Sequence, residues 1–242
     1  MSSQLILLEI LKKCSLSGVE ILKITGTDKD VTVQCHDVDK TLFVEGNLPN
    51  PVSDFKGEFG ISNLKMLSGL LNFSHFQENN FTVITHNRGD VNVPYQFALK
   101  GKGSKATFNL MDMNYVPQQA TIAKVPWNVT LEVSKEMLTE FQSFAGLYSE
   151  VDKSFTIGIE EDEVIVSFGQ GSSSTHSGSM KLADAKGQNL KGSLSFPVDK
   201  FLMLLKLAVN DTAKLLLTDK GLLGVDIEGE YGIYHYYLRH TV

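Results

Sequence analysis

One pattern of chain elements occurs twice along the 242 residues, and that repeat limits the possible folds more than any other feature. In the first half, apolar residues at helical spacing (Leu7, Ile10, Leu11, Cys14) precede an alternating stretch. Val19, Ile21 and Lys23 lead to a polar turn at 27–30, and Val31, Val33 and Cys35 follow it, which reads as a hairpin. A short strand follows at Leu42 and Val44. A strand–helix unit then runs from 58 through 73, before strands near 81–85, 91–99 and 106–111. The second half repeats this order. A strand at 128–133 leads to a helix at 134–148 with Met137, Leu138, Phe141, Phe144, Ala145 and Tyr148 on one stripe. A hairpin turns at 160–163, and a Gly/Ser-rich loop at 169–174 leads to a strand near 179–183. A strand at 194–196 and a helix at 198–209 come next, and three closing strands end the chain. The hairpin turns lie 133 residues apart, and Gly57/Gly192, Lys65/Lys200, Leu67/Leu202 and Leu70/Leu205 repeat at 135. The reading is an α+β fold built as a tandem duplication. Its expected parts are an N-terminal domain 1–114, a connector 115–126 marked by Pro117 and Pro126, and a C-terminal domain 127–242.

The residues offer little chemistry. The six histidines fall at no metal-ligand spacing, His176 lacks a nucleophile elbow, and the glycine pairs at 101/103 and 169/171 lack phosphate-loop spacing. The acidic run 160–163 reads as a solvated turn. Two cysteines make neither a disulfide framework nor a metal cage. The expectation is a protein that is not an enzyme and needs no cofactor or metal. Met1-Ser2-Ser3 lacks the basic region and cleavage site of a signal peptide, and no apolar run reaches membrane-spanning length, so the expectation is a cytoplasmic protein with no membrane partner.

Net charge is −6, which argues against a simple basic nucleic-acid binder. The charge is unevenly spread, however. The four expected helices hold Lys12, Lys13, Lys65, Lys135, Lys200 and Lys206 against Glu9, Glu136, Glu140 and Asp199, a net +2 that leaves −8 for the rest. That distribution suits helices facing a polyanion.

With this order and charge pattern, the sequence resembles the DNA sliding clamps, and most of all the clamp of large contractile-tailed phages. The resemblance spans nearly the whole chain. It is carried by the duplicated order, by Gly57-Glu58-Phe59-Gly60-Ile61-Ser62-Asn63-Leu64-Lys65, by 105–112, and by Glu228-Gly229-Glu230 entering the last strand. It implies a head-to-tail homotrimer whose helices line a hole for duplex DNA. An ATP-dependent clamp loader would place the ring, a DNA polymerase would be tethered to one face, and late transcription factors would be further partners. Twelve helices about 10 Å wide give a bore of roughly 28 Å, enough for a hydrated duplex. A topological link needs no strong phosphate grip, which removes the objection from net charge.

The site residues expected on this basis are Lys12, Lys13, Lys65, Lys200, Lys206, Lys102 and Lys105 for DNA. A partner-peptide pocket is expected from Val116, Pro117, Trp127, Tyr231, Tyr234 and Leu238, and a subunit interface through the strands of Phe108 and Met180. Two faces are expected to be less basic. Met203, Leu204 and Leu207 lie outward beside Lys200, and Thr139, Gln142, Ser143 and Gly146 face outward on the helix 134–148. The competing reading is a β-rich viral structural or assembly protein that tethers no DNA.

Overall fold

The apolar i, i+3, i+4, i+7 spacing near the start of the chain forms α1, Ser3–Cys14, with Lys12 and Lys13 in its last turn, where cations suit the helix dipole. Leu7, Ile10, Leu11 and Cys14 are buried as expected. The computed structural model describes residues 2–76, 81–89, 91–119, 122, 124–148, 150, 152–169 and 176–240, so most of the Gly/Ser-rich loop 169–174 lies outside the described residues. The chain divides into two units, Met1–Thr121 with Gly229–Tyr234, and Ile122–Glu228 with His235–Val242.

In unit 1, α1 is followed by β1 (Leu22–Gly26), β2 (Val31–His36), β3 (Leu42–Leu48) and β4 (Gly57–Ile61). Then come α2 (Leu64–Asn72), β5 (Phe81–Arg88), β6 (Val91–Gly101) and β7 (Ser104–Asn109). The strands lie in the orders β4-β1-β2-β3 and β5-β6-β7, all antiparallel. The inward phase of β1 is Leu22, Ile24 and Gly26, not that of Val19, Ile21 and Lys23. Pairing with β4 begins at Leu22, while Val19 makes only an isolated bridge to Asp37. Lys23 thus points away from the core and pairs with Glu58 at 2.8 Å. The thiols of Cys14 and Cys35 are both buried in the core of this unit.

Unit 2 holds β8 (Val129–Glu132), α3 (Lys135–Tyr148), β9 (Ser154–Glu160), β10 (Glu163–Phe168), β11 (Gly178–Asp184) and β12 (Leu194–Pro197). It continues with α4 (Val198–Ala208), β13 (Thr212–Thr218), β14 (Leu222–Glu228) and β15 (Ile233–Arg239), of which Ile233 and Tyr234 belong to unit 1. The strand orders are β11-β10-β9-β12 and β15-β14-β13-β8. Ser134 starts α3 by accepting the Met137 N–H at 3.1 Å. Phe141 then fills the core edge-on to Phe201 (4.8 Å, 90°) and Phe155 (5.1 Å, 74°).

The repeat is structural as well as sequential. After the additional strand β8, unit 2 runs helix, four strands, helix, three strands as unit 1 does, and β3-β2-β1-β4 has the same order as β11-β10-β9-β12. The strand registers match too. Leu22 pairs with Ile61 and Ile24 with Phe59, just as Phe155 pairs with Phe196 and Ile157 with Leu194. These pairs reproduce the offsets of 133 and 135. The helices do not keep the second offset. Ser62 and Asn63 separate β4 from α2, whereas α4 follows Pro197 directly, so burial aligns Leu67 with Phe201 and Leu71 with Leu205. Lys65 therefore corresponds to Asp199, and its expected match with Lys200 is lost by one residue.

Candidate nucleic-acid and partner interfaces

Within each unit the two helices pack together and turn one face outward. Lys12 closes α1, Lys65 lies in the first turn of α2 and Lys206 in the last turn of α4, and all three are exposed. Lys102 and Lys105 are exposed at and just beyond the β6–β7 turn. Lys200 is half-buried. Lys13 departs from the expectation. It is 2 % exposed and so cannot point into a solvent-filled hole. It sits beside Cys14 on the flank of α1, where a long aliphatic stem is packed away. Leu204 is also misplaced on the expected outward face of α4. It is fully buried, with Met203 and Leu207 at the rim.

Elsewhere, many charges are paired. Lys23 meets Glu58, Lys56 meets Asp28, Arg88 meets Asp112, and Lys181 bridges Glu163 and Asp184 at 2.6 Å each. The Lys23 ammonium holds the Glu58 carboxyl below its ordinary pKa, and Lys181 does the same for Asp184. Lys12, Lys65, Lys105 and Lys206 take part in none of the ion pairs among the described residues, so their positive charge is available to a partner.

The six expected pocket residues separate. Tyr234 and Leu238 are fully buried, because Tyr234, Tyr236 and Leu238 form the inward phase of β15. Burial, followed by the nearby Cys14 and Glu9, pushes the Tyr234 phenol far above its ordinary pKa. Neither residue is a surface anchor. Tyr231 is half-buried in unit 1. Trp127 is half-buried in unit 2, stacked on Tyr237 (6.4 Å, 13°) over Gly224, where a side chain would meet the indole. Val116 is buried. Pro117 is exposed and lines a unit 1 cavity of about 200 Å³ with His36, Val38, Glu20 and Gln119. The sequence reading missed Val38, which is 63 % exposed; its signal was an apolar residue between Asp37 and Asp39.

Three solved structures are similar to the whole chain. The first is described as the C-terminal region of FEN-1 bound to A. fulgidus PCNA (TM-score 0.67, 11 % identity, 100 % of this chain and 97 % of that one). The second is PCNA from Thermococcus kodakaraensis (0.67, 14 %, 100 % and 98 %). The third is the proliferating cellular nuclear antigen of Entamoeba histolytica (0.65, 19 %, 99 % and 96 %). The chain has the sliding-clamp fold. No family model and no curated protein sequence matches it.

Strands β4, β5, β7, β8, β11 and β12 each end a sheet in this fold. Among the described strands β7 pairs only with β6, and β11 only with β10. Phe108 of β7 faces inward, its ring 6.5 Å from that of Phe97, and Met180 of β11 is half-buried. Leu110 donates its N–H to Tyr95 O at 2.8 Å. In an antiparallel ladder the donors alternate sides, so Phe108 and Ala106 donate toward β6, and Thr107 and Asn109 donate outward. The described residues hold no cluster of three or more His, Cys, Asp or Glu fit for a metal ion. None of the described helices is long and apolar enough to cross a membrane.

Proposed function

We propose that this protein is a sliding clamp, a head-to-tail ring that encircles duplex DNA, is placed by an ATP-dependent loader and tethers a DNA polymerase. The observation that carries this reading is a contrast between corresponding edges. In unit 1, β3 is covered by the start of β15: Gly232 lies against the Asn47 carbonyl and Tyr234 against Gly46. The counterpart of β3 in unit 2 is β11, whose edge is open, and the counterpart of β15 in unit 1 is β7, whose edge is also open. An open edge presents unpaired ladder groups, and β7 of one copy laid on β11 of the next satisfies both. Three copies then close a ring of six similar units. Lys12, Lys65 and Lys206 on helix faces, with Lys102 and Lys105 nearby, supply a mild positive lining that contacts phosphates and reads no bases.

The partner pocket belongs on the unit 1 cavity that includes Val38 and Pro117. It is open, partly apolar and of a size for one or two side chains of a peptide. A PCNA of the same fold is described in complex with the C-terminal region of FEN-1, which supports peptide docking as the mode. A role in late transcription is part of this proposal and rests only on the sequence's resemblance to phage clamps. The deciding test is primer extension on a long template with polymerase, loader and this protein. Longer products that require the loader support the clamp. Unchanged product length, with the protein in assemblies larger than a trimer, favours a structural protein.

A further inference from the structure

Unit 1 holds a carboxylate latch that α3 of unit 2 lacks, and the inference from this difference rests on the ring reading above. In unit 1 the Glu9 carboxylate on α1 accepts three hydrogen bonds from one segment. The backbone N–H groups of Glu230 and Tyr231 donate at 2.8 and 3.1 Å, and the Tyr234 hydroxyl at 3.1 Å. Glu230 and Tyr231 are the two turn residues of the β14–β15 hairpin, closed by the Gly229 N–H on the Gly232 carbonyl at 2.8 Å. A carboxylate on two successive amides and a hydroxyl is a charge-assisted anchor. Lys13 lies one turn further along the same ridge and is almost wholly buried.

Burial aligns α1 with α3. Leu7, Ile10, Leu11 and Cys14 correspond to Phe141, Phe144, Ala145 and Tyr148. Ser143 then stands where Glu9 stands, and Leu147 where Lys13 stands. The Ser143 hydroxyl donates back to the Thr139 carbonyl at 2.8 Å, and Leu147 is 75 % exposed. Glu140, the nearest carboxylate on that flank, takes the place of Ile6. The start of β11 lies beside this helix, with Gly178 against Tyr148 and Phe144. The counterpart of the β14–β15 hairpin is β6–β7. Its Gly101–Ser104 pair encloses two exposed turn residues, Lys102 in place of Glu230 and Gly103 in place of Tyr231.

We propose that the α3 flank of Ser143 and Leu147, beside the β11 edge, is the seat for the 101–104 turn of a second copy of this chain. Ser143, standing where unit 1 has a carboxylate anchor, makes that seat releasable. Leu147 supplies apolar cover in the closed joint, and the absent carboxylate lets the joint open for DNA entry. The incoming turn carries Lys102 rather than Glu230, so a carboxylate at 143 would meet amide donors and an ammonium group together.

Sedimentation equilibrium and subunit exchange of the full chain test this. Ser143→Glu is expected to tighten self-association about tenfold and to slow exchange, while Ser143→Gln stays within about twofold of the original chain. Leu147→Asp is expected to abolish association with an unchanged thermal melt. If the original chain associates but Ser143→Glu is no tighter, or Leu147→Asp associates equally well, the latch assignment is wrong and the ring reading stands. If the original chain stays monomeric at every concentration, the ring reading fails and takes this inference with it.

Discussion

Two neighbouring lysines on α1 separate the roles of charge in this protein. Lys12 is exposed and Lys13 is buried, although both lie in the last turn. Reversing Lys12 and Lys65 together to Glu is expected to leave the melting temperature almost unchanged, since both are surface positions. It is expected to reduce loading and processive synthesis at moderate salt, with recovery as salt is lowered and the remaining lysines act over a longer range. Normal synthesis at every salt concentration would remove these lysines from the DNA path. Lys13→Glu is expected to act on folding instead, at a cost of roughly 3 kcal/mol or more, because it places the wrong charge in a packed site. Circular dichroism melts distinguish the two behaviours. Glu58 carries a pH prediction. Lys23 holds its carboxyl below the ordinary range, so the pair stabilises the fold above that range and the gain is lost as pH falls through the depressed value. Melts taken from pH 6 down to pH 3 should show this loss, and Lys23→Met should flatten it. Both side chains are partly exposed, so the effect is small.

At the scale of elements, the β7 edge gives a prediction in which adjacent residues behave differently. The Thr107 N–H faces away from β6, so Thr107→Pro is expected to remove a donor for a second copy and yield folded monomers. The Phe108 N–H faces β6 and its ring is buried, so Phe108→Pro is expected to break the β6–β7 ladder and destabilise unit 1 itself. Size-exclusion chromatography with light scattering, run beside thermal melts, reads both. A trimer from folded Thr107→Pro would place the joint on another edge. The helices explain why identities alone misled. Strand pairs fix the 135-residue offset from Phe59 to Leu194, yet a spacer one residue shorter before α4 rotates that helix by about 100° relative to its counterpart. The Lys65/Lys200 identity thus does not mark equivalent positions, and Asp199 takes the place of Lys65.

For the whole molecule, the clamp reading requires a solution mass near three times 26.7 kDa, or a concentration-dependent mixture approaching it. It also requires the protein to remain on circular DNA and to be lost when that DNA is cut, because a topological link depends on a closed path and not on phosphate affinity. Retention on linear DNA equal to that on circles would argue for ordinary binding. A net charge of −6 is compatible with the clamp reading, under which weak lining contacts would favour sliding and the acidic remainder would repel stray nucleic acid.

The sequence by itself determined the α+β class, the doubled element order, the core faces of α1, α2 and α3, and the hairpin offset of 133. These follow from periodicity and turn chemistry, which act over a few residues. It also determined which lysines lie on helices, and so which could form a basic face. Only the tertiary structure decided that Lys13, Tyr234 and Leu238 are buried, because their neighbours come from distant parts of the chain. Glu9 shows this most clearly. In sequence it is one acid on the polar side of a helix; in the fold it anchors residues more than two hundred positions away. The phase of β1 and the position of Lys200 were likewise set by pairing register and spacer length, where one residue moves a side chain to another face.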